Sequence, residues 1–132
     1  MISDIQLTDI VKREIKKIDV PGTPAIRTER YGETDLIDIE ITSQPDTISG
    51  ERTVFVVLSY DRMRKKMEYL SLHIPGYLRG RGIGKRLATL GEKIGKDLSC
   101  REIQIYNNVN QEFWEHMGYR KVGKRWKKEL FS

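Results

Sequence analysis

Seven residues restrict this chain's fold more than any others. Arg79-Gly80-Arg81-Gly82-Ile83-Gly84-Lys85 sets three alternating glycines among three basic side chains. Upstream, Leu70, Leu72 and Ile74 alternate with Tyr69, Ser71 and His73, which is the period of a strand. Downstream, Ile83, Leu87, Leu90, Ile94 and Leu98 fall on one face of a long helix. A strand must therefore turn into a helix across the glycines. Glycine removes the β-carbons that would hold a ligand off the backbone. The first turn of the helix that follows offers unpaired N–H groups and the positive end of the helix dipole. The dipole contributes only ~0.3–1 kcal/mol per charge, but hydrogen bonds from several N–H groups, with Arg79, Arg81 and Lys85 beside them, add to it. The stretch reads as a backbone grip for a pyrophosphate. Two other phosphate loops do not fit. A dinucleotide fingerprint begun at Gly80 would need glycine where Lys85 stands. A P-loop ending at Gly84-Lys85 would need glycine at Arg79 and a hydroxyl at Arg86.

Around this turn the sequence divides into short elements. Ser3 to Gln6 has the form of a capping box, and Leu7, Ile10, Val11, Ile15 and Ile18 follow at helical spacing until Val20-Pro21-Gly22. Residues 25–31 and 35–42 read as strands joined by a turn at Tyr31-Gly32-Glu33. Residues 43–50 form a polar loop, and 53–60, apolar on both parities, read as a strand covered on two faces. Residues 67–74 are the strand before the glycines, and 101–106 a short strand after the long helix. Val109, Phe113 and Met117 mark a short helix capped by Asn107 or Asn108 and stopped by Gly118; 119–122 and 125–131 close as a strand pair. The order is helix, four strands, helix, strand, helix, two strands, which predicts a mixed α/β sheet with helices covering its faces.

The 132 residues suit one domain spanning 1–132. A 33% charged composition predicts a soluble chain, and no apolar run approaches the ~20 residues of a membrane span. The N-terminus lacks the pattern of a secretion signal. Cys100 is the only cysteine, so no internal disulfide can form, and a cytoplasmic location is expected. Two histidines and one cysteine without tight spacing give no metal site. Residues 1–75 carry 11 basic and 13 acidic side chains, residues 76–132 carry 13 and 6, so the positive excess lies in the second half. That half is built to meet an anion, either nucleic acid or a phosphorylated cosubstrate.

Arg79-x-x-Gly82-x-Gly84 resembles the Arg/Gln-x-x-Gly-x-Gly/Ala signature of the GNAT superfamily of N-acetyltransferases, and "LSLHIPGYLRGRGIGKRL" (70–87) is similar to that family's fourth strand, turn and long helix. A second match follows in the right order: Asn107 with "FWEHMGY" (113–119) resembles the family's Asn-x-x-Ala-x-x-Phe-Tyr-Glu-Lys-x-Gly-Phe. The resemblance covers about Glu68 to the C-terminus. It implies a mixed, mostly antiparallel sheet flanked by helices, here with a reduced N-terminal part, since one helix precedes the strands where the family has a strand and two helices. It also implies acetyl-CoA as cosubstrate, with no metal. The backbone of Leu72, His73 and Ile74 would then hold the pantetheine arm and the acetyl carbonyl. The N–H groups of Arg79, Gly80, Arg81, Gly82, Ile83, Gly84 and Lys85 would hold the pyrophosphate. Asn107 would touch the pantetheine or the adjacent backbone, and Trp114 would sit beside the sulfur. Trp114 stands where the family often has the tyrosine that protonates the thiolate, and an indole N–H is no usable acid.

Acetyl transfer needs a neutral amine. At pH 7 a lysine amine (pKa ~10.4) costs about 4.6 kcal/mol to deprotonate, and an N-terminal α-amine (~7.7–8.0) only about 1–1.4 kcal/mol. Glu68 is the candidate general base. It lies 13 positions before Arg81 on the strand that flanks the thioester, which resembles the strand glutamate of the histone-acetylating branch. Tyr106, ending the next strand, is the candidate proton donor. His73 is expected to face the helices of the second half, His116 to be solvated, and Cys100 to be a buried small apolar residue. The resulting reading is direct transfer from acetyl-CoA to an amine, on a protein or a small molecule. Its rivals are an acetyl-CoA-binding module without turnover and, more weakly, a basic nucleic-acid binder whose affinity would fall steeply with salt. Neither the amine's identity nor an oligomeric interface has a signature in the sequence.

Overall fold

The computed structural model describes residues 2–19, 22–42, 53–74, 82–106 and 110–131. The elements are helix α1 (Asp4–Ile15), strands β1 (Thr23–Tyr31), β2 (Thr34–Thr42), β3 (Thr53–Asp61) and β4 (Lys66–His73), helix α2 (Ile83–Asp97), strand β5 (Glu102–Tyr106), helix α3 (Gln111–His116), and strands β6 (Arg120–Val122) and β7 (Arg125–Glu129). This is the order read from the sequence. The strands form one seven-stranded sheet in the order β1-β2-β3-β4-β5-β7-β6. Every neighbouring pair is antiparallel except β4 and β5, which are parallel. The crossover between those two is α2, so the only parallel step brackets the glycine-rich turn.

Local chemistry sets the element ends. In α1 the capping box forms in full: the Gln6 N–H donates to Ser3 Oγ at 3.2 Å, and the Ser3 N–H donates to Gln6 Oε1 at 2.8 Å. The helix stops at Ile15, earlier than the apolar spacing suggests. Lys17 and Ile18 then bond back three residues, to Glu14 and Ile15, in a tighter turn that still lays Ile18 on the core. Gly32, at φ 60, makes the two-residue β1–β2 turn. The β3–β4 turn is held by Asp61, whose Oδ1 accepts the N–H groups of Met63 and Arg64 at 3.0 Å each.

The core lies on one side of the sheet. Ile37, Ile39 and Ile41 pair across with Leu58, Val56 and Val54, and this row continues through Met67, Tyr69, Ile103 and Ile105, all buried. Each side chain of this size contributes roughly 1.5–3 kcal/mol when fully buried. All three helices cover this same face. Thr8 of α1 lies 3.4 Å from Thr28, whose partner is Ile37. The Tyr69 hydroxyl donates to the Ala88 carbonyl of α2. The Trp114 ring of α3 packs 5.3 Å from that of Tyr69. A Cβ on Gly91 would overlap the Tyr69 hydroxyl, and one on Gly95 would come within 2.7 Å of Leu130 Cδ1. Two missing side chains thus let α2 lie close on β4 and the C-terminal residues.

The opposite face carries no helix among the described residues. This corrects the expectation that 53–60 is covered on two faces: Val54, Val56, Leu58 and Tyr60 are buried, whereas Phe55, Val57 and Ser59 are half-buried on the open face. Simple alternation in β4 is also broken. Leu58 pairs with Tyr69 but Val57 pairs with Ser71, so Leu70 is the extra residue of a β-bulge. The bulge puts Tyr69 and Leu72 on the same face, where the sequence pattern had opposed them. His73 pairs with Phe55 and stacks on its ring, 5.0 Å between centroids. The expectation that His73 faces the second-half helices is therefore wrong: the bulge shifts the phase and turns it to the open face.

Candidate active site

The parallel pair defines the site. β4 and β5 are in register only from Lys66 with Glu102 to Tyr69 with Ile105. β4 runs on through Leu70 to His73 with β3 on one edge and, among the described residues, no strand on the other. The bulge at Leu70 sits at the first unpaired residue and bends β4 away from β5. A pocket of about 350 Å³ opens in the parting, lined by Tyr69 to Leu72, Ile74, Gly84, Ile105, Tyr106, Asn110, Phe113 and Trp114.

The N-terminus of α2 borders this pocket. Gly82 caps the helix at φ 76, a left-handed conformation that glycine adopts without strain, and it has no side chain to cap the first turn. The first backbone bond of the helix is from Arg86 to the Gly82 carbonyl at 3.2 Å. The N–H groups of Ile83, Gly84 and Lys85 are the orphans of that first turn, and no side chain among the described residues satisfies them. The Ile83 side chain is buried in the core, so only its backbone is offered. A Cβ on Gly84 would stand 3.3 Å from Ile74 Cδ1 and 3.5 Å from Phe113 Cε1, so glycine keeps the pocket floor open. Arg79, Gly80, Arg81 and Asn107 lie outside the described residues.

The far wall is aromatic. Asn110, not Asn107 or Asn108, caps α3, accepting the Phe113 N–H at 3.3 Å. Trp114 is 2% exposed, and its ring meets Tyr69, Phe113 and Tyr119 at centroid distances of 5.3, 5.0 and 4.9 Å. Behind it, Tyr119 donates to Glu92 Oε2 at 3.0 Å and Lys128 donates to Glu92 Oε1 at 2.9 Å. Burial, with the negative charge of Glu92 nearby, raises the Tyr69 hydroxyl well above its ordinary value. Burial, then Tyr69 and Glu92, raises Tyr119 likewise. Both are poor proton donors to a thiolate. Tyr106 lies at the parting itself, on the pocket rim and 46% exposed.

Glu68 stands apart from the pocket lining. It lies one residue before the parting on the open face, in a polar cleft of about 410 Å³ with Ser59, Asp61, Arg64, Gln104, Arg125 and Lys127 among its walls. Glu68 Oε1 accepts from Gln104 Nε2 at 3.2 Å and from Arg125 Nε at 3.2 Å. The Arg125 guanidinium also lies over the Tyr106 ring, 5.3 Å from its centroid. Arg125 therefore links Glu68 and Tyr106, the two residues singled out for proton transfer. Sequence reading missed it. Arg125 is 57 residues from Glu68, and only the β5–β7 register, which pairs it with Tyr106, brings it there. Cys100 is buried, and burial pushes its thiol up to about 12, so it is no nucleophile.

The model of the acetyltransferase (GNAT) family matches residues 54–119, half of the chain. No curated protein matches the sequence. Among solved structures, a protein from Agrobacterium tumefaciens described as an acetyltransferase superposes with a TM-score of 0.57 at 23% identity, covering 76% of this chain and 80% of that one. An acetyltransferase from Bacillus cereus ATCC 14579 gives 0.55 at 14% identity, covering 98% and 94%. A Klebsiella pneumoniae protein described as an acyl-CoA N-acyltransferase gives 0.57 at 15% identity, covering 96% and 89%. At these identities the superpositions establish the fold.

Proposed function

The chain belongs to the GNAT family of acetyltransferases, and on that footing we propose that it transfers an acetyl group from acetyl-CoA directly to an amine, without a covalent enzyme intermediate. One observation carries this reading: the end of β4, which pairs with no strand on its β5 side among the described residues, and the N-terminus of α2, which has no side-chain cap, border the same pocket, and this supports one cleft for both thioester and pyrophosphate. The N–H groups of Ile83, Gly84 and Lys85 bind the pyrophosphate, together with those of Arg79, Gly80, Arg81 and Gly82, which precede them in the sequence. The backbone of Leu72, His73 and Ile74 holds the pantetheine arm and polarises the acetyl carbonyl. Asn107 contacts the pantetheine, and Trp114 forms the apolar wall near the sulfur. Glu68 accepts the amine proton. Tyr106, the accessible hydroxyl at the parting, protonates the departing thiolate. Most of the acceleration comes from holding amine and thioester together.

The test is thiol release from acetyl-CoA against a panel of amines. Wild type should release thiol with at least one amine. Glu68→Gln should lower turnover of a lysine-type amine by roughly 10²–10⁴ and leave coenzyme affinity unchanged. An α-amine, already largely free of its proton near pH 8, should suffer less. Tight acetyl-CoA binding with no thiol release from any amine would instead make the chain a binding module.

A further inference from the structure

We propose that the acceptor is a small zwitterion, an amine with a carboxylate on the adjacent carbon, recognised by Glu68 and Arg125 together; this rests on the transferase reading above. Glu68 uses only Oε1 in its two hydrogen bonds, and Arg125 uses only Nε. Among the described residues Glu68 Oε2 and the two terminal nitrogens of Arg125 bond to nothing else. Both groups face the open cleft, with side chains 23% and 41% exposed. Each of the other charged side chains there has an ion-pair partner, Lys66 and Lys127 sharing the one carboxylate of Glu102. Lys66 pairs with Glu102 at 2.9 Å and Lys127 with Glu102 at 3.7 Å, and Arg64 pairs with Asp61 at 4.0 Å. What stays open is thus one carboxylate oxygen next to one guanidinium fork.

That pair is complementary to an ammonium beside a carboxylate. The fork takes the carboxylate through two parallel N–H bonds, a geometry a lysine in its place would not offer. The ammonium then lies at Oε2. Stacking on Tyr106 fixes the plane of the fork and sets it at the end of β5, next to the parting. Thr34, Ser59 and Gln104 line the remainder, which suits a polar side chain. In the reaction the ammonium gives one proton to Glu68. Its nitrogen bonds to the acetyl carbon, the carbon–sulfur bond breaks, and the sulfur leaves as thiolate and takes a proton from Tyr106. The second nitrogen proton leaves as the amide forms and passes to solvent.

The experiment uses the full chain with saturating acetyl-CoA and compares each of the twenty L-amino acids with its α-amide, which keeps the amine and lacks the carboxylate. For the best acceptor, kcat/KM should favour the acid by roughly 10- to 100-fold, the worth of a charge-assisted bidentate contact. Arg125 also bonds Glu68 and covers Tyr106, so Arg125→Gln slows both substrates, but it should slow the acid roughly 10- to 100-fold more than the amide and so abolish the preference, with coenzyme affinity unchanged; Arg125→Lys should restore the preference only in part. Glu68→Gln should slow acid and amide alike. Equal use of acid and amide by wild type, or a preference that survives Arg125→Gln, overturns the proposal while leaving the transferase reading intact. If no amine releases thiol, the transferase reading has failed. Saturation-transfer NMR with the same pairs then decides separately: acid binding that is lost on amidation and in Arg125→Gln supports the zwitterion site, and equal binding of both refutes it.

Discussion

Replacing Gly84 by valine should separate coenzyme binding from folding. Gly84 has no positive φ, so an L side chain is accepted there without backbone strain. Its Cβ would meet Ile74 Cδ1 at 3.3 Å and Phe113 ring carbons at 3.5 and 3.6 Å, which flexible side-chain atoms can accommodate by moving a few tenths of an ångström. Helix propensity changes by less than about 1 kcal/mol in valine's favour, so the melting temperature should move by no more than ~5 °C. Binding is another matter, because the two added methyls stand on the pocket floor. They hold a pyrophosphate away from the N–H groups of Gly84 and Lys85. At about 1.5–3 kcal/mol for each hydrogen bond to a charged group, losing two should weaken acetyl-CoA by at least ~10²-fold in Kd. Gly82→Ala has the opposite signature. At φ 76 an alanine is strained by about 1–2 kcal/mol, yet nothing lies within 4 Å of the new Cβ. It should lower the melting temperature by several degrees and weaken acetyl-CoA less than Gly84→Val. Calorimetric titration and thermal melts of both variants measure the two effects. A folded Gly84→Val protein with wild-type affinity would refute the placement of the pyrophosphate.

Titration with acetyl-CoA should change the fluorescence of Trp114, which lines the pocket, and not that of Trp126, which is buried away from it; a full response in Trp114→Phe would contradict this. Cys100 gives a pH signature: its thiol is raised to about 12 when folded, while an unfolded chain loses that proton near ~8.5. Between these values the unfolded state binds fewer protons, so stability falls as pH rises. Urea midpoints at pH 7 and pH 10 should therefore differ less in Cys100→Ala than in wild type, and an identical loss in both would contradict the buried thiol.

The element order was legible because period-2 and helical patterns are strong in this chain and the turn residues are well placed. Ser3, Gln6 and Gly32 act locally, so their roles could be read from neighbours alone. The β4 bulge could not, because the extra residue shows only when Leu58 and Val57 are matched to Tyr69 and Ser71. That shift is why simple alternation puts His73 on the wrong face. Arg125 was hidden for the same reason: it meets Glu68 and Tyr106 through strand register, which sequence spacing does not encode. The cap of α3 was misplaced by a few residues because asparagines at 107, 108 and 110 all suit the role, and the backbone decides among them.

The account's central claim is that acetyl-CoA lies between the parted end of β4 and the start of α2. Amide chemical shifts of isotopically labelled protein, followed as acetyl-CoA is added, test it most directly. The largest changes should fall on Ile83, Gly84 and Lys85, on Leu72, His73 and Ile74, and on the Trp114 indole, with the β1–β2 turn unmoved. Changes confined to another surface, such as the exposed side of α1 around Gln6, Asp9 and Arg13, would contradict the site, as would no change at millimolar coenzyme.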